Sequence, residues 1–146
     1  MENYEFGEIE FQQTYNLRLK VLWPNNPEKV QLEEDALNTA FHFGLKNKIN
    51  NEIIGVISLF LGEKSEDYVD CQFRKFAIDF NFQKLGFGKY MLGKISEFLI
   101  NKFDCKIKLW CNARIEQEGF YNKSGFEEEW ETKGIKFVKM KKLLNN

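Results

Sequence analysis

Gln83-Lys84-Leu85-Gly86-Phe87-Gly88-Lys89 combines residue types that together suit a phosphate. It opens into an amphipathic helix pattern, and a helix start exposes unpaired backbone N–H groups and a partial positive charge. Gly86 and Gly88 have no Cβ, so a ligand can approach the backbone closely and φ can be positive. Gln83, Lys84 and Lys89 add polar or cationic reach. A phosphate-bearing ligand at the end of a strand is the chemistry these residues propose.

The flanking elements must hold that turn. Phe87, Met91, Ile95, Phe98 and Leu99 recur at helical spacing, with Lys89, Lys94, Glu97 and Asn101 mostly on the wet face. Upstream, Phe73, Phe76 and Ile78 suit a strand, and their imperfect alternation fits partial burial on both faces. Two other phosphate loops compete. A dinucleotide fingerprint would need glycine at Met91. A P-loop is nearly matched by Gly88, Gly93 and Lys94, but Ile95 stands where a hydroxyl should meet Mg²⁺.

Gln83, Gly86 and Gly88 match the Q/R-x-x-G-x-G/A pyrophosphate loop of the GNAT acyltransferase superfamily at every fixed position. Further on, Gly119-Phe120-Tyr121-Asn122-Lys123-Ser124-Gly125-Phe126 resembles the F-Y-x-K-x-G-F signature that follows the fifth strand of many such enzymes. The motifs stand in the expected order, and the resemblance covers nearly the whole chain, most loosely its N-terminal third.

The resemblance implies an N-acyltransferase that moves an acetyl group from acetyl-CoA to an amine by direct attack. Backbone groups of Phe76, Ala77 and Ile78 would pair with pantetheine as an added strand does. The amides from Leu85 to Lys89, including Phe87, would hold the pyrophosphate, and Asn112 would bond the pantetheine arm. Tyr121 would be the general acid for the departing thiolate, since a phenol with a pKa of about 10 stays protonated at neutral pH. An alkyl amine is only about a thousandth neutral at pH 7, so something must take its proton. His42, Asp35, Glu118 and an ordered water chain compete for that role. Arg18 and Arg74 are candidates for a substrate carboxylate. The family usually needs no metal, and the sequence offers no ligand cluster for one. Two other readings remain: an acyl-CoA-binding or sensing module of the same fold, and a P-loop-like nucleotide-binding protein.

The 146 residues, 43% hydrophobic and 16% aromatic, suit one domain over 1–146 with its own core. A net charge of −1 gives no electrostatic reason to expect nucleic acid. Ile53 to Leu61, interrupted by Gly55 and Ser58, is too short to span a membrane. Cys71, Cys105 and Cys111 read as reduced thiols, and with an N-terminus lacking a signal pattern they suggest a cytoplasmic protein. Cys111 lies near the proposed acyl site without an adjoining histidine and is assigned no nucleophilic role.

Along the chain we expect a strand over Tyr4 to Ile9, then a helix over Thr14 to Leu22 with Arg18 and Lys20 on its polar side. A short helix over Glu28 to Asn38 follows, then strands over Ala40 to Lys46, Ile53 to Leu61, Gln72 to Ile78 and Ile107 to Asn112. Glu116 to Lys123 is a short helix, and the tail holds one or two strands whose lysines are read as solvated edge charge. The fold class is α/β (α+β): a mixed, mostly antiparallel sheet of about seven strands flanked by helices, with a parallel, splayed pair. A small-molecule or protein amine is the expected partner, and the resemblance also allows a homodimer.

Overall fold

The computed structural model describes residues 2–145. Its seven strands, counted among the described residues, are β1 (Tyr4–Glu8), β2 (Ala40–Asn47), β3 (Ile53–Lys64), β4 (Tyr68–Ile78), β5 (Lys106–Arg114), β6 (Glu127–Glu128) and β7 (Phe137–Leu144). They form one mixed sheet in the order β1-β2-β3-β4-β5-β7-β6. The helices are α1 (Tyr15–Leu17), α2 (Phe87–Lys102) and α3 (Glu118–Lys123). The expected sheet, with its parallel pair β4–β5, is the sheet found.

Residues cluster into two compact units, Met1–Phe60 with Lys75–Lys94, and Leu61–Arg74 with Ile95–Asn146. In the first, β2 lies between β1 and β3, antiparallel to both, with an irregularity at Leu45/Lys46. Leu45, Val56, Ile57, Leu59 and Met91 are fully buried in its core. A Cβ on Gly55 would lie 2.7 Å from Met91 Sδ, so glycine here makes room for the core methionine.

The N-terminal helical region departs from expectation. Thr14 to Leu22 is not one helix. A 3₁₀ turn over Phe11–Thr14 leads to α1, and then to a π-helical stretch over Arg18–Leu22. Arg18, expected on the wet side, is completely buried. Glu28 to Asn38 holds only 3₁₀ turns, Pro27–Lys29 and Glu33–Ala36. β3 also runs past its expected end at Leu61, as far as Lys64.

In the second unit, Tyr68–Gln72 of β4 pairs parallel with Lys106–Trp110 of β5. Both strands continue beyond that ladder, β4 to Ile78 and β5 to Arg114. β7 pairs with β5 on one side and β6 on the other, so it is not an edge strand. Its lysines are not simply solvated: Lys139 and Lys141 lie 3.5 and 3.6 Å from Glu129, which also binds Lys108 at 2.6 Å. Val69, Cys71, Phe73, Leu99, Leu109 and Met140 form this unit's interior. The three cysteines are free thiols.

Candidate active site

The Gln83–Lys89 turn is built by backbone conformation. Lys84 has φ 62° and Gly86 φ 91°, two left-handed steps immediately before α2. Lys84 adopts this conformation despite its Cβ, a local strain of the kind that clusters at functional segments. Nothing lies within 4 Å of where a Gly86 Cβ would stand, so the turn is open to solvent. Gly88 is not left-handed; it is buried in the first turn of α2. The first intrahelical bond runs from Tyr90 N to Gly86 O at 3.1 Å, leaving the preceding amides without helical partners. Gln83, Lys84, Leu85 and Gly86 are exposed, while Phe87 is buried against Tyr4, 4.8 Å between ring centroids. An exposed, cationic turn leading into the unpartnered amides of a 16-residue helix fits a pyrophosphate. Lys94 and Ile95 lie deep inside α2, so Gly88 to Lys94 is helix and cannot wrap a nucleotide as a P-loop does.

The end of β4 is tied to this turn. Gln83 Nε2 donates to the carbonyl of Ile78 at 2.8 Å. Asp79 accepts the Asn81 amide at 3.1 Å and a bond from Lys20 Nζ at 2.8 Å. Lys20 and that amide hold the Asp79 carboxyl below its ordinary value. The irregular alternation of β4 has a local cause at Lys75, which has φ 58° and rests its ammonium 3.9 Å from the Trp23 ring centroid. Phe76 and Ile78 are half-buried and Ala77 buried.

Three of the candidate side chains meet elsewhere in the first unit. Arg18 Nη1 donates to Asp35 Oδ2 at 2.7 Å and to the Val30 carbonyl at 2.9 Å. Its Nη2 donates to Asp35 Oδ1 and Ser58 Oγ, both at 3.0 Å. His42 Nδ1 lies 2.7 Å from Ser58 Oγ and Nε2 2.9 Å from the Asp35 carbonyl. A carbonyl only accepts, so Nε2 carries the proton of neutral His42. Nδ1 then accepts the Ser58 hydroxyl proton, and Ser58 Oγ accepts from Arg18. Burial would raise the Asp35 carboxyl, but Arg18 and the Leu32 amide outweigh it and leave it below the usual range. Burial pushes His42 below its ordinary value, outweighing the pull of Asp35. Both His42 nitrogens and the whole Asp35 carboxylate are therefore engaged inside the protein.

In the second unit, Tyr121 sits on α3 with its ring among Phe73, Phe120 and Phe126, at centroid distances of 5.9, 5.0 and 5.8 Å. The signature sequence builds this position. Gly125, at φ 91°, ends the helix, and Phe126 N returns to Tyr121 O at 2.9 Å while Gly125 N returns to Asn122 O at 3.2 Å. The buried Cys111 thiol lies beside the Tyr121 hydroxyl. Burial, with Cys111 beside it, raises the Tyr121 hydroxyl well above its ordinary value. Burial likewise pushes Cys111 up to about 12, which leaves it an inert thiol. Asn112 is exposed on β5, Arg74 is half-buried on β4, and Glu118 binds Lys133 at 2.7 Å.

Sequence reasoning missed Ser58, Trp23 and Lys75. Ser58 had a visible signal, a hydroxyl inside the apolar run Ile53 to Leu61, since a buried hydroxyl needs partners. Among the described residues, no helix is long and apolar enough to cross a membrane.

The family model described as "Acetyltransferase (GNAT) domain" matches residues 24–144. Among solved structures, the fold is similar to Escherichia coli ElaA, at 14% identity and a TM-score of 0.75, covering 95% of this chain and 99% of that one. It is also similar to a spermidine N-acetyltransferase from Vibrio cholerae solved with CoA and spermine, at 15% identity and a TM-score of 0.70, covering 98% and 96%. An IAA acetyltransferase from Bacillus cereus gives 16% identity and a TM-score of 0.69, covering 97% and 99%. No curated protein sequence matches this chain. With the family model spanning most of its length, the chain belongs to the GNAT acetyltransferase family.

Proposed function

We propose that the chain, acting as one GNAT domain, is an N-acetyltransferase that uses acetyl-CoA to acetylate an amine by direct attack. The observation that carries this reading is the left-handed pair Lys84 and Gly86 opening directly into α2. When bound, acetyl-CoA supplies an acyl group activated as a thioester. Amides of Leu85 to Lys89 hold its pyrophosphate, with Gln83 and Lys84 at the rim. Backbone groups of Phe76, Ala77 and Ile78 orient the pantetheine, with Asn112 as a further hydrogen-bond partner. The Ile78 carbonyl already accepts from Gln83, so its remaining lone pair is the one available to pantetheine.

Tyr121 is the general acid. The amine nitrogen attacks the carbonyl carbon, the carbon–sulfur bond breaks, and the Tyr121 proton goes to the leaving sulfur. Burial weakens Tyr121 as an acid, and a thiolate formed in apolar surroundings is likewise more basic than one in water, as the raised Cys111 thiol illustrates, so the two effects offset. The amine's own proton goes to solvent water, because His42, Asp35 and Glu118 are each already bound within the protein.

The acceptor is a small-molecule or protein amine. The likeness to a spermidine N-acetyltransferase makes polyamines a sensible part of any amine library. Release of free thiol from acetyl-CoA in the presence of that library tests the activity. Turnover with one or more amines supports the reading, and acetyl-CoA binding without any turnover would favour a sensing module.

A further inference from the structure

Residues 24–39 form a segment with two short 3₁₀ turns, Pro27–Lys29 and Glu33–Ala36, and no longer helix. Its own backbone bonds hold it weakly. Its two buried residues, Val30 and Asp35, fix it instead, and both bind Arg18. The segment is entered at Trp23, whose ring meets Lys75, and just before it Lys20 meets Asp79. Those contacts bracket Phe76, Ala77 and Ile78.

The geometry points to a buried clasp: Arg18, Asp35, Ser58 and His42 together hold the 24–39 segment, which follows directly on the Lys20 and Trp23 contacts to the end of β4, and the clasp closes only when His42 is neutral. Its consequence for catalysis rests on the reading of Phe76 to Ile78 as the cofactor-binding strand.

The donor inventory supplies the proton dependence. In the neutral arrangement every proton around Ser58 has an acceptor: Arg18 donates to Oγ, Ser58 donates to Nδ1, and Nε2 donates to the Asp35 carbonyl. A second proton on His42 turns Nδ1 into a donor aimed at Ser58 Oγ. The Ser58 proton then loses its acceptor. It also places a second cation near Arg18, with the Asp35 carboxylate as the counter-charge of the pair. The charged and titratable groups facing this centre are Arg18, Asp35 and, under the guanidinium at 5.8 Å, Tyr15. Phe11 and Phe60 close on the imidazole with centroids at 6.1 Å, so water cannot readily solvate the extra charge. Arg18 Nε is buried without a partner among the described residues, so this buried cation is already incompletely satisfied before a second one is added.

Hydrogen exchange of the full chain tests the clasp, with rates corrected for the intrinsic pH dependence. Protection of a peptide spanning 24–39 should fall roughly tenfold between pH 8 and 5.5. That is the change one linked proton gives once the pH lies about one unit below the ordinary histidine value of about 6.5. A peptide from α2 should hold its protection. His42→Gln keeps one acceptor and one donor without titrating, and should flatten the response. Ser58→Ala, which leaves the buried Arg18 Nη2 without that acceptor, should lower protection at pH 8 and weaken the pH response. A wild-type segment equally protected at both pH values, or a His42→Gln segment that still loosens in acid, would overturn the clasp. Calorimetry with acetyl-CoA separates the two claims: a pH-sensitive segment in a chain that binds no acetyl-CoA upholds the clasp and removes the cofactor reading.

Discussion

The Gln83 side-chain amide reaches back five residues to donate to the Ile78 carbonyl across 2.8 Å. One residue thus ties the turn before α2 to the end of β4, and on the proposed reading both ends of a bound CoA arm would depend on it. A net hydrogen bond contributes about 0.5–1.5 kcal/mol. Gln83→Ala should therefore weaken acetyl-CoA binding by roughly 2- to 12-fold, read by calorimetry. Because Gln83 is exposed, the melting temperature should barely move.

Tyr121→Phe removes the hydroxyl and keeps the ring that packs on Phe73 and Phe126. Turnover should fall by about 10²- to 10⁴-fold, the usual contribution of a positioned acid, with acetyl-CoA affinity nearly unchanged. Steady-state kinetics beside calorimetry reads both. Unchanged turnover would remove Tyr121 from the mechanism.

Tyr121 also links stability to alkaline pH. Its folded-state pKa is raised above the unfolded value of about 10. The stability this supplies is fully present below about pH 10 and is lost as pH climbs toward the folded value. Wild type should therefore unfold at a lower alkaline pH than Tyr121→Phe, as followed by circular dichroism.

Arg18 and Asp35 share two bonds of 2.7 and 3.0 Å with both side chains buried. Arg18→Met or Asp35→Asn alone leaves the remaining partner buried and uncompensated, a loss of about 3–5 kcal/mol. Arg18→Met with Asp35→Leu should recover most of that loss in urea unfolding. The folded-state Asp35 pKa is depressed, so its stabilisation is present above about pH 3.9 and is lost as pH falls through the folded value. His42 is also depressed, so the stability its neutral form contributes is present above about pH 6.5 and is lost as pH falls below it, earlier than that of Asp35.

What the sequence revealed was what is local. The helix stripe of α2, the Gly86 turn and the Gly125 helix end each follow from residues within a few positions of one another. So does the run of strands whose order gives the mixed sheet. The N-terminal region was illegible because its structure is set by distant partners. Arg18 looks like a surface residue until Asp35, seventeen positions on, and Ser58, forty on, take its guanidinium inside. That pull accompanies a π-helical stretch where periodicity proposed a plain helix. The β7 lysines misled for a related reason, since charge suggested an edge where the Glu129 carboxylate gives Lys139 and Lys141 a partner. Lys75 and Lys84 adopt left-handed backbone that composition alone would assign to glycine.

Calorimetry of the purified chain with acetyl-CoA, using CoA, dephospho-CoA and ATP as comparators, tests the central claim most directly. Gly86→Asp is the matched variant: it forces a side chain onto φ 91° and sets a negative charge in the turn. Micromolar acetyl-CoA binding, about −8 kcal/mol, that the variant loses while still folded is the predicted result. Absence of acetyl-CoA binding to the wild-type chain, or binding that Gly86→Asp leaves untouched, would contradict the account.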